Sequence, residues 1–308
     1  FQNKLIDATI IYGVKKINTI SDSNATNNGL FNIKEGPFSN VRGFVTIDSK
    51  FKTIRGLRLK QTDFFLCDLS QEGATQFVKK VHKIKGFAVP KNHNEAALLI
   101  TKSILNRQAE DELKRKIIAA QKEPERNISI LTWYKERPES WIEHREPPRY
   151  PIIFNYYLRN RPRHILNPHI PFADNFYGLL PRNDDATYYA WLAVLNSSAV
   201  CTEILARSRN QGNGLAKIQL FEYRLVMIPD ITVCSDEDKK YLDILGKTLI
   251  ASTDNADKII KVIDEFIAST WANSALKSPE LETLFAQANS NARQPMGGNI
   301  NGLVKISR

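Results

Sequence analysis

Pro148-Arg-Tyr-Pro-Ile-Ile-Phe-Asn-Tyr-Tyr157 leads into Arg159-Asn-Arg-Pro-Arg-His-Ile-Leu-Asn167, and Asp174-Asn-Phe-Tyr177 follows. The apolar pieces at 151–158 and 164–166 are too short for helices and are bounded by proline and asparagine, so they read as strands. On the N-terminal side, 44–51 and 64–69 read as further strands, separated by Lys52-Thr-Ile-Arg-Gly-Leu-Arg-Leu-Lys60. Residues 94–122 have helical spacing and stop before Pro124, with a strongly charged second half. On the C-terminal side, 187–207 reads as a helix capped by Asp184 or Asp185, and Gln211-Gly-Asn-Gly214 turns the chain into a strand at 216–221. Short strands with inserted helices predict an α+β fold.

The flanks differ. Residues 5–17 are β-branched and apolar, as in a buried strand, and 18–40 are a polar loop. After Pro229-Asp-Ile231, Ser235-Asp-Glu-Asp238 resembles a capping box opening a helix to about 251; two more helices are expected at 254–271 and 279–288, and 289–308 should fray. Leu242, Leu245 and Leu249 form one apolar stripe, and Ile259, Ile260, Ile263, Phe266 and Ile267 another. Such stripes fit the core of a helical hairpin or a surface for a partner helix. The expected division is 1–20, then a β-rich body over 21–231, then a helical tail over 232–308.

Charge follows the same division. The 308 residues carry a net charge of +10, yet residues 231–308 hold 9 basic and 10 acidic side chains, leaving 34 basic against 23 acidic before them. Such a localised excess is the footprint expected for a polyanion, although a lysine-rich solvated surface has the same composition. No apolar run approaches the roughly 20 residues that span a bilayer, so an integral membrane protein is not expected. The scattered Cys67, Cys201 and Cys234 provide neither a disulfide framework nor a zinc site, in keeping with a reducing compartment, the cytoplasm. A chain starting at Phe1 is expected to be a piece of a longer protein.

Motifs for chemistry are scarce. There is no Gly-x-Gly-x-x-Gly and no phosphate-binding loop, and His82, His93, His164 and His169 lack metal-ligand spacing. Glu112-Leu-Lys114 matches a short nuclease element but has no partner carboxylate upstream and lies within a charged helix face. No catalytic residues are expected. Binding groups are plentiful: Arg55, Arg58, Lys60 and Thr62; Arg159, Arg161, Arg163, His164, Asn167 and Asn175; and Arg207, Arg209, Asn210, Asn213 and Lys217. Arg and Lys neutralise phosphates, and Arg and Asn pair with guanine and adenine edges. The same residues also fit an aromatic core with a solvated arginine rim.

Arg55-Gly-Leu-Arg-Leu-Lys-Gln-Thr-Asp-Phe-Phe65 resembles the opening of the C-terminal target recognition domain of N6-adenine DNA methyltransferases from restriction–modification systems. Lys60 and Thr62 replace that family's usual glycine and asparagine. Pro162-Arg-His-Ile-Leu-Asn167 with Asp174-Asn-Phe-Tyr177, and Leu195-Asn-Ser197 with Gly214-Leu-Ala-Lys217 and Met227-Ile-Pro229, are similar to later motifs of that domain, in the same order. The resemblance covers about 40–231, and residues 5–16 resemble the last strands of the methyltransferase fold. The family's S-adenosylmethionine loop and its (Asn/Asp)-Pro-Pro-(Tyr/Phe) motif do not occur; Asn167-Pro-His169 and Pro147-Pro-Arg-Tyr150 lack the required order. The resemblance therefore implies sequence-specific recognition of double-stranded DNA, with no cofactor in this chain. It also implies a catalytic, S-adenosylmethionine-dependent methyltransferase domain in the same parent polypeptide. The alternative is a non-catalytic RNA- or protein-binding module with a basic surface.

Overall fold

Ile152-Ile-Phe-Asn155 is buried at every position, the pattern of a strand covered on both faces. In the computed structural model, which describes residues 35–275 except 60, 61, 104, 139 and 160, this strand (β6) lies inside a four-stranded antiparallel sheet. Its neighbours are β9 (Phe176–Pro181) and β8 (His164–Leu166), and β2 (Phe51–Arg55) pairs with the far side of β9. The period of two sorts the side chains. Ile152, Phe154, Tyr177, Leu179 and Phe51 join a core shared with helices. Ile153, Ile165 and Phe176 pack against Val78, Ile84, Val89 and Phe172 on the other face.

The helical side is organised by Tyr188–Leu195, which is buried from Ala190 to Leu195. Its N-cap is Thr187, whose side chain accepts from Ala190 N, rather than Asp184 or Asp185. The single helix expected over 187–207 is two helices bent by 61°. Asn196 ends the first by turning its amide onto Leu192 O, and Ser197 caps the second, Ser198–Arg207. Helices Asp236–Ala251, capped by Ser235, and Ala256–Ala275 pack into the same core through Leu242, Leu249, Ile260, Ile263, Ile267 and Trp271. Both stripes thus serve the core, and the expected tail is continuous with the sheet. Gly246 permits close approach to the buried helix: a Cβ there would lie 2.0 Å from Tyr189 O. Among the described residues no single helix is long and apolar enough to cross a membrane; the bent pair passes only as a pair, and it is largely core.

A second core lies under β3 (Leu66–Asp68), β5 (Glu95–Ala97) and β4 (Thr75–Gln76), with helices Arg107–Lys122 and Ile128–Glu136. It contains Phe65, Phe77, Leu98, Leu113 and Trp141. The helix expected from 94 starts only after Asn106, whose side chain accepts from Ala109 N, while the apolar run before it is β5. Period alone does not separate a short buried strand from a buried helical turn. Similarly, β1 (Phe44–Thr46) and β2 are separated by a one-turn helix, Ile47–Lys50, capped by Thr46. Residues 62–65 are a helical turn before β3, and β11 (Ala216–Lys217) gives way to the helix Leu220–Arg224 through a Gln219/Glu222 capping box. The fold is α+β, as expected. The strand expected at 5–17, most of the loop at 18–40, the helix at 279–288 and the frayed end at 289–308 lie outside the described residues.

Candidate nucleic-acid interface

Asn155 Oδ1 accepts from Tyr157 N at 2.9 Å, kinking the chain so that β6 ends and β7 (Tyr157–Leu158) begins. β7 pairs with β11, and β11 pairs with β10 (Arg209–Asn210). The kink places Tyr156 and Tyr157 side by side, with ring centroids 4.6 Å apart. Behind them an aromatic column runs inward. Tyr156 stacks on Tyr177 at 4.7 Å, Tyr177 meets Tyr223 at 5.4 Å, and Tyr223 stacks on Phe154 at 4.7 Å. Tyr157 is 41% exposed, so the column surfaces there.

Two cations sit on this aromatic end. Lys217 Nζ lies 5.6 Å from the Tyr156 centroid and 5.3 Å from that of Tyr157. Arg55 lies 5.3 Å from the Tyr156 centroid, donates to Tyr156 Oη at 2.6 Å and donates through Nε to Asp174 O at 3.0 Å. Asp174 Oδ2 is 3.7 Å from Arg55 and Oδ1 is 4.0 Å from Lys79. Burial pushes the Tyr156 phenol up to about 12, against the pull of Arg55. Cations held over ring faces keep outward charge without losing side-chain order. Residues 211–214 form the tip of the β10–β11 hairpin, where Gly212, Asn213 and Gly214 have φ of +87°, +51° and +69°. Asn210 Oδ1 accepts from Gly212 N at 2.8 Å, and Asn210 and Asn213 are exposed beside the tyrosines' strand partner.

The remaining expected residues divide sharply. Arg58 and Arg159 are exposed. Lys60 and the side chain of Thr62 lie outside the described residues. Arg161 is half-buried and donates to Asn196 O and Ser198 Oγ, both at 3.3 Å. Arg163 donates to the carbonyls of Ile84, Lys85 and Gly86, clamping that loop onto the sheet. His164 is fully buried, with Nε2 2.7 Å from Tyr223 Oη, and burial lowers its pKa to about 3. Asn167 is buried as well, its amide donating to Tyr150 O and Ile170 O at 2.8 Å. Asn175 donates to Lys79 O at 3.0 Å. Arg207 pairs with buried Glu203 at 3.0 Å, and Arg209 pairs with Glu222 at 2.8 Å. For His164, Asn167 and Arg207 the structure shows interior bonds where surface contacts were expected. An apolar neighbourhood on both sides in sequence does not reveal which polar groups are turned inward.

No family model matches the chain, and no curated protein does. Among solved structures it is similar to the crystal structure of the type IIG restriction endonuclease BpuSI, at 14% identity and a TM-score of 0.49. The similarity covers 85% of this chain and 33% of that one, so the chain spans about a third of that enzyme's length.

The site also includes residues that the sequence reading passed over. Tyr156, Tyr157, Lys79 and Asp174 are as central as Arg55 and Lys217. The adjacent Tyr156-Tyr157 pair was the available signal, since alternation would bury one tyrosine and expose the other. Glu112 and Lys114 make only helix-surface pairs, with Arg115 at 3.0 Å and Glu110 at 2.7 Å. The arrangement can hold phosphate on Arg55 and Lys217 and offer an aromatic face and asparagine amides to bases.

Proposed function

We propose that this chain is the DNA-reading part of an adenine-N6 DNA methyltransferase of a restriction–modification system. In this reading the S-adenosylmethionine-binding catalytic domain belongs to the same parent polypeptide and the chain's own partner is double-stranded DNA. The observation that carries it is the pair of cations, Arg55 and Lys217, seated on the Tyr156–Tyr157 surface beside the asparagine-bearing hairpin. Support comes from the charge imbalance and from the ordered motif resemblance over about 40–231. Backbone contacts would fall to Arg55, Arg159 and Lys217, and base contacts to Asn210 and Asn213.

Salt titration of duplex binding tests the reading. A footprint of about six phosphates weakens affinity roughly a thousandfold between 50 and 200 mM salt. A flat salt dependence overturns it. Competition by structured RNA as effective as by duplex DNA would favour an RNA-binding module, whose bases could stack on Tyr157.

A further inference from the structure

A cleft of about 430 Å³ opens beside the second core, and neither tyrosine of the pair lines it. Its apolar lining is flat and aromatic: Phe65, Trp133, Trp141 and the His144 ring, which stands edge-on to Phe65 at 4.7 Å. Its charged lining is mostly cationic, from Arg58, Lys102, Arg137 and Arg145, against Glu143 and Glu146. The walls are fixed. Trp133 Nε1 donates to Trp141 O at 3.0 Å, His144 N donates to Ile100 O at 2.8 Å, and Arg145 donates to Gly56 O at 2.6 Å. Glu146 is engaged by Ser103 through N at 2.9 Å and Oγ at 2.7 Å. Arg137 lies 4.4 Å from the Trp133 centroid, so one cation is already laid on the indole. Arg58 and Lys102 are exposed, and neither makes an ion pair with any described residue.

The volume is that of a small-ligand pocket, about 300–1,000 Å³. A flat aromatic lining with free cations at the rim suits a planar ring that carries an anion. We infer that this cleft is a second binding site, for a single nucleotide: the base lies against Trp133, with Phe65 buried behind it, and its phosphate meets Arg58 and Lys102. The ring could come from a free nucleotide or from one unpaired base of the bound DNA. For the second source the inference rests on the DNA-binding function proposed above. Arg58 lies three residues beyond Arg55, and Arg145 binds the carbonyl of Gly56 between them, so one short segment joins the two sites. Burial holds His144 down to about 4, so the cleft's charge comes from its arginines and lysine and is constant across neutral pH.

The test titrates the chain with dAMP, with a fully paired duplex and with the same duplex carrying one unpaired adenine, read by tryptophan fluorescence and DNA anisotropy. If the base comes from DNA, the unpaired adenine tightens binding about 5–150-fold, and Trp133→Leu abolishes that gain while paired-duplex affinity holds. If the source is a free nucleotide, dAMP saturates the fluorescence change and Trp133→Leu weakens it. Arg58→Ala with Lys102→Ala, two exposed positions, should weaken whichever probe binds the cleft and, where that probe is the duplex with its unpaired adenine, lower the salt slope by about 2. The inference is overturned if neither dAMP nor the unpaired adenine has any effect, or if their effects survive both variants. Paired-duplex binding without those effects removes the cleft alone. Saturable, variant-sensitive dAMP binding without duplex binding removes the DNA-reading function and leaves the cleft.

Discussion

Asn196 grips both backbone groups of His164: its Oδ1 accepts from His164 N at 2.9 Å, and its Nδ2 donates to His164 O at 3.0 Å. The same amide donates to Leu192 O at 2.9 Å, so one side chain ends a helix and holds an edge strand to it. Among the described residues β8 is the last strand of its sheet; on its outer side Leu166 bonds to Phe87 O and Val89 N, and Asn196 satisfies the His164 groups that a neighbouring strand would otherwise pair. A buried polar group left without partners costs about 1–3 kcal/mol, and Asn196→Ala orphans several. The expected loss is about 3 kcal/mol, a fall in Tm of roughly 6–12 °C for a domain of this size. Thermal unfolding checks it; an unchanged Tm would show that water replaces the amide freely.

Arg163 and Arg159 belong to one arginine-rich stretch and should behave oppositely. Arg163 holds three carbonyls, whereas Arg159 is exposed. Arg163→Ala is expected to destabilise the fold by about 1–3 kcal/mol. Arg159→Ala should leave Tm within about 1 °C while lowering the salt slope of DNA binding by about 1. Melting curves and salt titrations on the two variants separate the roles.

Lys217→Ala and Arg55→Ala address the tyrosine surface. Each removes one cation from Tyr156, and each should lower the salt slope by about 1. Arg55→Ala should in addition loosen the Asp174 loop, to which it donates at 3.0 Å. Affinity measured at several salt concentrations is the check, and a parallel slope for Lys217→Ala would remove that residue from the contact surface.

Acid should unfold the protein through its buried histidines. His164 titrates near 3 and His144 near 4 in the folded chain, both below the usual 6.5, because burial penalises the imidazolium. The unfolded chain therefore takes up these protons first as pH falls, and stability present above pH 6.5 declines until the folded-state values are reached. Glu95, lowered to about 2 despite its burial by the His93 ring 3.3 Å away and by bonds from the Lys79 and Lys80 amides, extends the decline below pH 4.5. The expected slope is about 1.4 kcal/mol per pH unit for each proton. Denaturant midpoints between pH 7 and 4 measure it, and His164→Asn should flatten the curve.

Gly246 should resist even alanine. In an exposed helix interior, Gly→Ala gains about 1 kcal/mol. At Gly246 the added methyl would meet Tyr189 O at 2.0 Å, so the helices must separate and overpacking of about 1–3 kcal/mol should dominate. A rise in Tm for Gly246→Ala would contradict the packing.

Local patterns in the sequence determined a good deal. Short apolar runs bounded by proline and asparagine located β6 and β8, Ser235 marked the start of its helix, the leucine and isoleucine stripes marked core faces, and the mixture of strands and helices indicated α+β. Each of these depends on residues within a few positions of one another. Tertiary structure alone decided which polar side chains face inward. Arg163, His164, Asn167 and Arg207 sit among the same residue types as Arg58 and Arg159, yet their partners are carbonyls, a phenol and a carboxylate, most of them distant in sequence. It also set Arg55 and Lys217, 162 positions apart, on one tyrosine. Such long-range pairings leave no trace in local spacing, because the desolvation cost that selects them arises only once the core has closed.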